Sequence, residues 1–256
     1  MLLAIDVGNT NTVIGIYRAD NLVHNWRLDT KKERTADEWG LFLKELLSFS
    51  NITFDQITGV IISNVVPPLQ RALTEMSTKY LKQNPVTVGP DIKIDMPIEL
   101  DNPTEIGADR IVNAVAAYHR YKTDLIIVDF GTATTFDYVN KNGEYMGGLI
   151  LPGLVISLEA LFQKASKLPR VEIVKPKRVI GKNTVESMQA GIYYGYVGMI
   201  DSIVEKMEKE IGVKAKVIAT GGLSALIAEG SKKISETDEF LTLEGLKLIY
   251  DWNKAG

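Results

Sequence analysis

The chain has 256 residues, a formal net charge of −3, two histidines and no cysteine. That charge gives no general drive toward nucleic acid or anionic membrane, and the missing cysteine excludes disulfides, a thiolate nucleophile and cysteine-ligated metal. A hydrophobic share of 45% and a charged share of 24% are ordinary for a globular protein of one large or two small cores.

The first apolar run, Leu2 to Ile5, reads as a buried strand and is interrupted by Asp6, so it does not read as a signal peptide. No stretch approaches membrane-spanning length without charge. The expectation is a cytoplasmic protein with neither a membrane nor a nucleic acid partner. Thr12–Tyr17 and Leu22–Leu28 follow as strands, joined by a hairpin turn at Arg18-Ala-Asp-Asn21. Thr35 opens a helix, with Glu38 completing a capping box. Trp39, Phe42, Leu43, Leu46 and Leu47 recur at helical spacing, as a core-facing stripe does. Gly59–Ser63 is a buried strand, Pro67-Pro68 starts a helix, and Pro85–Val88 returns as a strand.

The second half repeats this order. Leu125–Asp129, Thr134–Val139 and Glu144–Ile150 are strands, the last two joined by the hairpin signal Asn142-Gly143. Helices are expected at Pro152–Phe162, across Asn183–Glu210 with a break near Gly191, at Leu223–Glu229 and at Thr242–Asn253. Lys216–Thr220 is one more buried strand. Alternating strands and helices imply parallel pairing, so the architecture is two similar α/β domains, each with a mixed sheet. They are expected at 1–117 and 118–256, joined through the helix Arg110–Tyr121.

Within that repeat one device occurs twice: strand, Asp, any residue, Gly, then polar groups. Asp6 and Gly8 precede Asn9, Thr10 and Thr12, and Asp129 and Gly131 precede Thr132, Thr134 and Thr135. The glycine lets the backbone turn and a ligand approach. N–H groups and hydroxyls of such turns hold phosphate oxygens, and the carboxylate holds a cation or its water. One copy alone is also an ordinary turn; two copies with matching downstream order point to phosphate. A Gly-x-x-x-x-Gly-Lys loop and a Gly-x-Gly-x-x-Gly fingerprint are both missing. His24 and His119 stand far apart and read as packing or surface residues.

These duplicated turns resemble those of the acetate and sugar kinase, Hsp70 and actin superfamily. Within it, four segments resemble the type III pantothenate kinases: Asp6-Val-Gly-Asn-Thr-Asn-Thr, Ser63-Asn-Val-Val-Pro-Pro68, Asp101-Asn-Pro-Thr-Glu-Ile-Gly-Ala-Asp-Arg110 and Asp129-Phe-Gly-Thr-Ala-Thr-Thr135. Gly147-Gly148, Pro152-Gly153, Gly181-Lys-Asn-Thr184 and Thr220-Gly-Gly222 extend the likeness over nearly the whole chain. The third segment is the specific one.

The resemblance implies two RNase H-like domains with a ligand cleft between them, and transfer of the ATP γ-phosphoryl to pantothenate. It implies that Asp6, Val7, Gly8, Asn9, Thr10, Asn11, Thr12 and Val13 hold the ATP phosphates, with Asp6 near Mg²⁺. Thr132 would contact ATP, Gly221-Gly222 would admit adenosine, and Asp129 would bind a monovalent cation, K⁺ or NH₄⁺. Leu100, Gly107, Ala108, Asp109, Arg110 and Thr184 would contact pantothenate, with Asp109 as the base. A homodimer is implied too, and the apolar, aromatic stretch Ile192–Ile200 is a place for its interface or for an interdomain core. Two positions keep a second reading: Asp109 suits a helix cap, and Thr184 an N-cap. Leu100 departs from the family, where Tyr is frequent. Rival readings are a non-catalytic regulator of the same fold, or another small-molecule kinase of the superfamily. The basic run Lys175-Pro-Lys-Arg178 is either an ATP-steering patch or a solvated loop.

Overall fold

The computed structural model describes residues 1–254; positions 255 and 256, the end of the expected C-terminal domain, lie outside the described residues. Three strands open the chain, β1 (Leu2–Val7), β2 (Asn11–Arg18) and β3 (Asn21–Asp29), as an antiparallel meander. Helix α1 (Ala36–Ser48) begins at the expected capping box. Glu38 N donates to Thr35 Oγ1 at 3.3 Å, and Thr35 N donates to Glu38 Oε2 at 2.7 Å. β4 (Gly59–Asn64), α2 (Leu69–Met76) and the short β5 (Val86–Thr87) complete a sheet of order β3-β2-β1-β4-β5. β4 runs parallel to β1, as a crossover connection through helix α1 requires.

Helix α3 (Ala108–Tyr121) leads to the second meander, β6 (Leu125–Phe130), β7 (Ala133–Val139) and β8 (Tyr145–Pro152). Then come α4 (Leu154–Lys164), α5 (Thr184–Ile211), β9 (Lys216–Thr220), α6 (Ser224–Ala228), β10 (Glu236–Thr237) and α7 (Leu241–Lys254). The second sheet has the order β10-β9-β6-β7-β8, the same pattern as the first with β9 parallel to β6. The fold is thus two similar α/β domains with mixed sheets.

The chain forms two compact units. Of the described residues, one holds 1–96, 101–116 and 241–254; the other holds 97–100 and 117–240. In the first, Leu3, Ile5 and Val7 of β1 face Trp39, Leu43 and Leu47 of α1 and Leu69 and Leu73 of α2. Each such side chain contributes about 1.5–3 kcal/mol on burial. The opposite face of β1 and β2 receives α7, whose approach needs small residues beneath it. A Cβ on Gly15 would stand 2.8 Å from Leu243 Cδ1, and one on Gly245 would meet the Val112 backbone of α3. The last helix therefore packs with the N-terminal strands rather than with the half of the sequence that precedes it. In the second unit, Ile126, Val128 and Phe130 of β6 pack on Tyr193, Tyr196, Ile200 and Val204 of α5.

Helix α5 runs unbroken through Gly191, where an interruption was expected. A helical glycine costs about 1 kcal/mol relative to alanine, and burial of Tyr193, Tyr196, Ile200 and Val204 in the core of this unit outweighs that cost.

Candidate active site

The first phosphate-type turn is built at the end of β1. Gly8 N donates to Asn11 O at 3.0 Å, closing a loop whose tip, Asn9 and Thr10, is exposed. Asp6 is half-buried beside it, and Val7 and Thr12 are buried. Val13, opposite Asp6 in register, is half-buried. Thr30 braces the turn from the end of β3. Its Oγ1 donates to Gly8 O at 2.8 Å and lies 2.9 Å from Thr12 Oγ1, while its N donates to Thr10 O at 2.9 Å. The sequence reading missed Thr30, whose only signal is its place in the β2–β3 register. This unit thus brings together a strand-end carboxylate, a bare glycine and an exposed hydroxyl- and amide-bearing loop. One carboxylate beside such a loop suits Mg²⁺, which is commonly held by one or two carboxylates together with phosphate oxygens.

The same unit carries Gly107, Ala108, Asp109 and Arg110 at the start of α3, all half-buried. Ile111 N donates to Gly107 O at 3.2 Å, so Gly107 takes the cap position and Asp109 stands inside the first turn. The helix-cap reading of Asp109 therefore does not apply. Its Oδ1 accepts from Arg110 N at 2.8 Å. A Cβ on Gly107 would sit 2.6 Å from the same oxygen, so the glycine leaves the room in which this carboxylate lies. Burial raises the Asp109 carboxyl above its ordinary range, against the opposing pull of the Arg110 N–H and the Arg110 charge. A carboxylate with a raised pKa at a helix start has the attributes of a general base.

In the second unit, Asp129 stands half-buried one residue before the end of β6. Gly131 N donates to Ala133 O at 3.0 Å, a loop one residue shorter than the first, with Thr132 at its tip. Gly153 N donates to Thr132 O at 3.0 Å and roofs the turn. Gly221 has φ of +90°, and a Cβ there would stand 2.7 Å from Asp129 Oδ1. Bare glycines thus flank this carboxylate and leave room beside it, as an oxygen-preferring monovalent ion requires. Next to it, buried Asp137 accepts from Tyr145 OH at 2.5 Å and from Thr135 Oγ1 at 3.3 Å, and Thr135 is the register partner of Asp129. Tyr145 N donates to Pro97 O and Glu99 N donates to Tyr145 O, each at 2.8 Å, which fixes the segment ending at Leu100.

Thr184 is exposed as the first residue of α5. The N-cap is Asn183 instead, whose Oδ1 accepts from Glu186 N at 2.9 Å. Thr184 borders an apolar groove of about 630 Å³ lined also by Leu161, Met188, Ile192 and Met199. Lys175 pairs with Glu229 at 2.9 Å and Arg178 with Glu186 at 3.6 Å, so part of the basic run is neutralised locally. His24 stacks on Trp26 and meets Ser50 Oγ at 3.1 Å, a packing role.

A family model for type III pantothenate kinase matches residues 2–206. This chain belongs to the type III pantothenate kinase family. Among curated relatives, a type III pantothenate kinase of Geobacter sulfurreducens is 60% identical over 254 residues, covering 99% of this chain and 100% of the relative. One from Myxococcus xanthus is 56% identical over 255 residues, with full coverage of both. Solved structures share the fold at low identity. A Campylobacter jejuni protein described provisionally as a Baf family transcriptional activator superposes with a TM-score of 0.61 at 20% identity, covering 99% of this chain and 100% of that one. Component A of (R)-2-hydroxyglutaryl-CoA dehydratase from Acidaminococcus fermentans gives 0.57 at 12% identity, covering 99% and 98%. The family is one of phosphotransferases, and its members act with ATP and Mg²⁺.

Proposed function

We propose that the chain phosphorylates pantothenate to 4'-phosphopantothenate at the expense of ATP, the first step of coenzyme A synthesis, with Asp109 as the base. The observation that carries the assignment of the base is the Asp109 carboxylate, held by Arg110 N, given room by Gly107 and raised in pKa by burial. In this reading Asp109 accepts the proton of the pantothenate primary hydroxyl as its oxygen attacks the γ-phosphorus. The bond from that phosphorus to the β,γ-bridging oxygen breaks, and ADP leaves. Arg110 binds the pantothenate carboxylate, for which its planar fork is suited. The loop from Asp6 to Val13 and the tip residue Thr132 hold the nucleotide phosphates. Asp6 would hold Mg²⁺, which would neutralise phosphate charge, and Asp129 would hold a monovalent cation that adds a positive charge to the second turn.

Leu100, Gly107, Ala108 and Thr184 complete the pantothenate contacts, and the reaction is cytoplasmic. The enzyme is a homodimer through α5. Gly191, Gly195 and Gly198 lie along that helix with open space where a Cβ would stand, beside the apolar groove. Sedimentation at twice the chain mass of 28.3 kDa supports the dimer, and a monomer under all conditions rejects it.

The reaction is tested by incubating purified chain with ATP, Mg²⁺ and pantothenate and following ADP release and phosphopantothenate by mass spectrometry. Product formed at the rate of ADP release is the expected result. ATP consumption without that product rejects pantothenate as the acceptor.

A further inference from the structure

The structure assigns a role to Ser63, to which the motifs give none: we propose that it is a positioning residue that orients the Asp6 carboxylate toward Mg-nucleotide. The proposal rests on the kinase reading above. Ser63 stands near the end of β4, directly opposite Asp6 in the parallel β1–β4 register. Residues in register on neighbouring strands point to the same face, about 4.8 Å apart. The two side chains are therefore neighbours on one face of the sheet. Ser63 is fully buried, and its Oγ has no hydrogen-bond partner among the described residues. A buried hydroxyl without a partner destabilises a fold, so this position carries a polar group where packing alone favours an apolar one.

The second unit repeats the arrangement. Thr220 ends β9 directly opposite Asp129 in the parallel β6–β9 register and is buried. Elsewhere the partners of β1 on β4 are Gly59, Val60, Ile61, Ile62 and Asn64, and those of β6 on β9 are Lys216, Val217, Ile218 and Ala219. In both sheets, then, the hydroxyl stands only opposite the carboxylate. The two strands share Val-Ile at Val60-Ile61 and Val217-Ile218, and at the same register position each places a hydroxyl next to the same kind of acid. A hydroxyl there donates one hydrogen bond to the carboxylate and leaves the outer oxygen for the cation side. Carboxylates that serve cations are commonly oriented by hydrogen bonds of this kind.

The test is a thermal-shift titration with MgADP on the wild-type chain, Ser63→Ala and Ser63→Thr, repeated with ADP in EDTA. Ser63→Ala is expected to melt at the wild-type temperature or above, because it removes an unpaired buried hydroxyl. Its affinity for MgADP is expected to fall about tenfold, in line with loss of one hydrogen bond to a charged group, while metal-free ADP affinity moves less. Ser63→Thr, which copies the residue type of Thr220, is expected to restore MgADP affinity. Unchanged MgADP affinity in Ser63→Ala overturns the proposal, as does a loss that follows a lowered melting temperature or appears equally without metal. Failure of Ser63→Thr to restore affinity while melting normally also overturns it. A wild-type chain that binds no MgADP overturns the kinase reading and this proposal with it, whereas normal wild-type binding with an unmoved variant overturns this proposal alone.

Discussion

The turn after Asp6 spans Asn9 and Thr10 before its hydrogen bond closes, whereas the turn after Asp129 spans Thr132 alone. The first is braced by Thr30 through both its hydroxyl and its backbone N–H, and leaves its tip exposed. The second is braced by a backbone bond, Gly153 N to Thr132 O, with Gly153 packed closely on the turn. The same strand order and register thus support a longer, exposed loop in one unit and a shorter, sterically crowded one in the other. An open loop presents the several N–H groups and hydroxyls that phosphate oxygens need. A tight turn suits a single contact and a fixed ion. The first unit also holds Asp109. The contrast teaches that a duplicated frame divides its labour by loop length and bracing rather than by new elements.

The sharpest way to break that division is Asp109→Asn. If the first unit supplies the base, kcat falls by about 10²–10⁴-fold, read in a single-turnover assay, and pantothenate still binds. Burial raises the Asp109 carboxyl above its ordinary value of 3.8. The folded protein therefore holds this proton to higher pH than the unfolded chain, and stability is lost as pH rises from the ordinary value through the folded one. The asparagine chain lacks that loss, so it melts at the same temperature or higher near neutral pH, with the difference shrinking as pH falls toward 3.8. The acid limb of kcat/KM in wild type is expected above the ordinary aspartate range. Near-normal turnover in the variant sinks the assignment.

A steric pair tests the two braces directly. A Cβ on Gly153 would collide with Thr132 O and lie 2.6 Å from Gly131 O, both backbone atoms that cannot swing aside. A Cβ on Gly8 would meet only Asn11 O at 3.0 Å. Gly153→Ala is expected to cost about 1–3 kcal/mol by overpacking, and Gly8→Ala clearly less. Denaturant unfolding of the two variants gives the comparison. Equal losses would show that the second turn is no more rigid than the first.

The cation prediction is smaller. With Mg²⁺ held constant and ionic strength matched, activity in K⁺ or NH₄⁺ is expected to exceed that in Na⁺ several-fold, and Asp129→Ala is expected to abolish the preference. Equal rates in the three salts for wild type would remove the ion from the second turn.

What the sequence disclosed follows from where the determining forces act. The capping box at Thr35, the apolar run of β1 and the Asn142-Gly143 hairpin depend on near neighbours, and all three are present, with Gly143 at φ of +84°. The repeat of strand order was legible because each strand carries its own pattern. The packing of α7 on the first sheet was not, because partner choice is long-range and is marked by Gly15, Gly59 and Gly245, which a local reading takes as breakers. Thr184 and Asn183 both suit a cap by type, and only the backbone geometry selects Asn183. Thr30 and the role of Ser63 escape any local reading, since Thr30 reaches Gly8 across the fold and Ser63 faces Asp6 only through sheet register. At the candidate site, residue types were legible from the motifs, whereas bracing and burial required the fold.

Leu100→Tyr probes the second unit at its gentlest point. Two backbone bonds to Tyr145 fix the segment that ends at Leu100, so its side chain is aimed by the sheet rather than by the loop. Leu100 Cδ2 lies 3.4 Å from where a Cβ on Gly147 would stand, and Gly147 has φ of +112°, which holds that position to glycine. The bare Gly147 leaves a flat surface on which a ring fits as well as an isobutyl group. A tyrosine is therefore expected to be accommodated without loss of stability. Its hydroxyl offers one further hydrogen bond to substrate, worth about 0.5–1.5 kcal/mol. Because that bond forms equally before and during phosphoryl transfer, it changes KM for pantothenate by about 2–10-fold and leaves kcat nearly unmoved. Steady-state kinetics at saturating ATP measure both constants. A large fall in kcat at constant KM would place this residue against the reacting atoms instead, and the tight second unit would then share in the chemistry that the contrast reserves for the first.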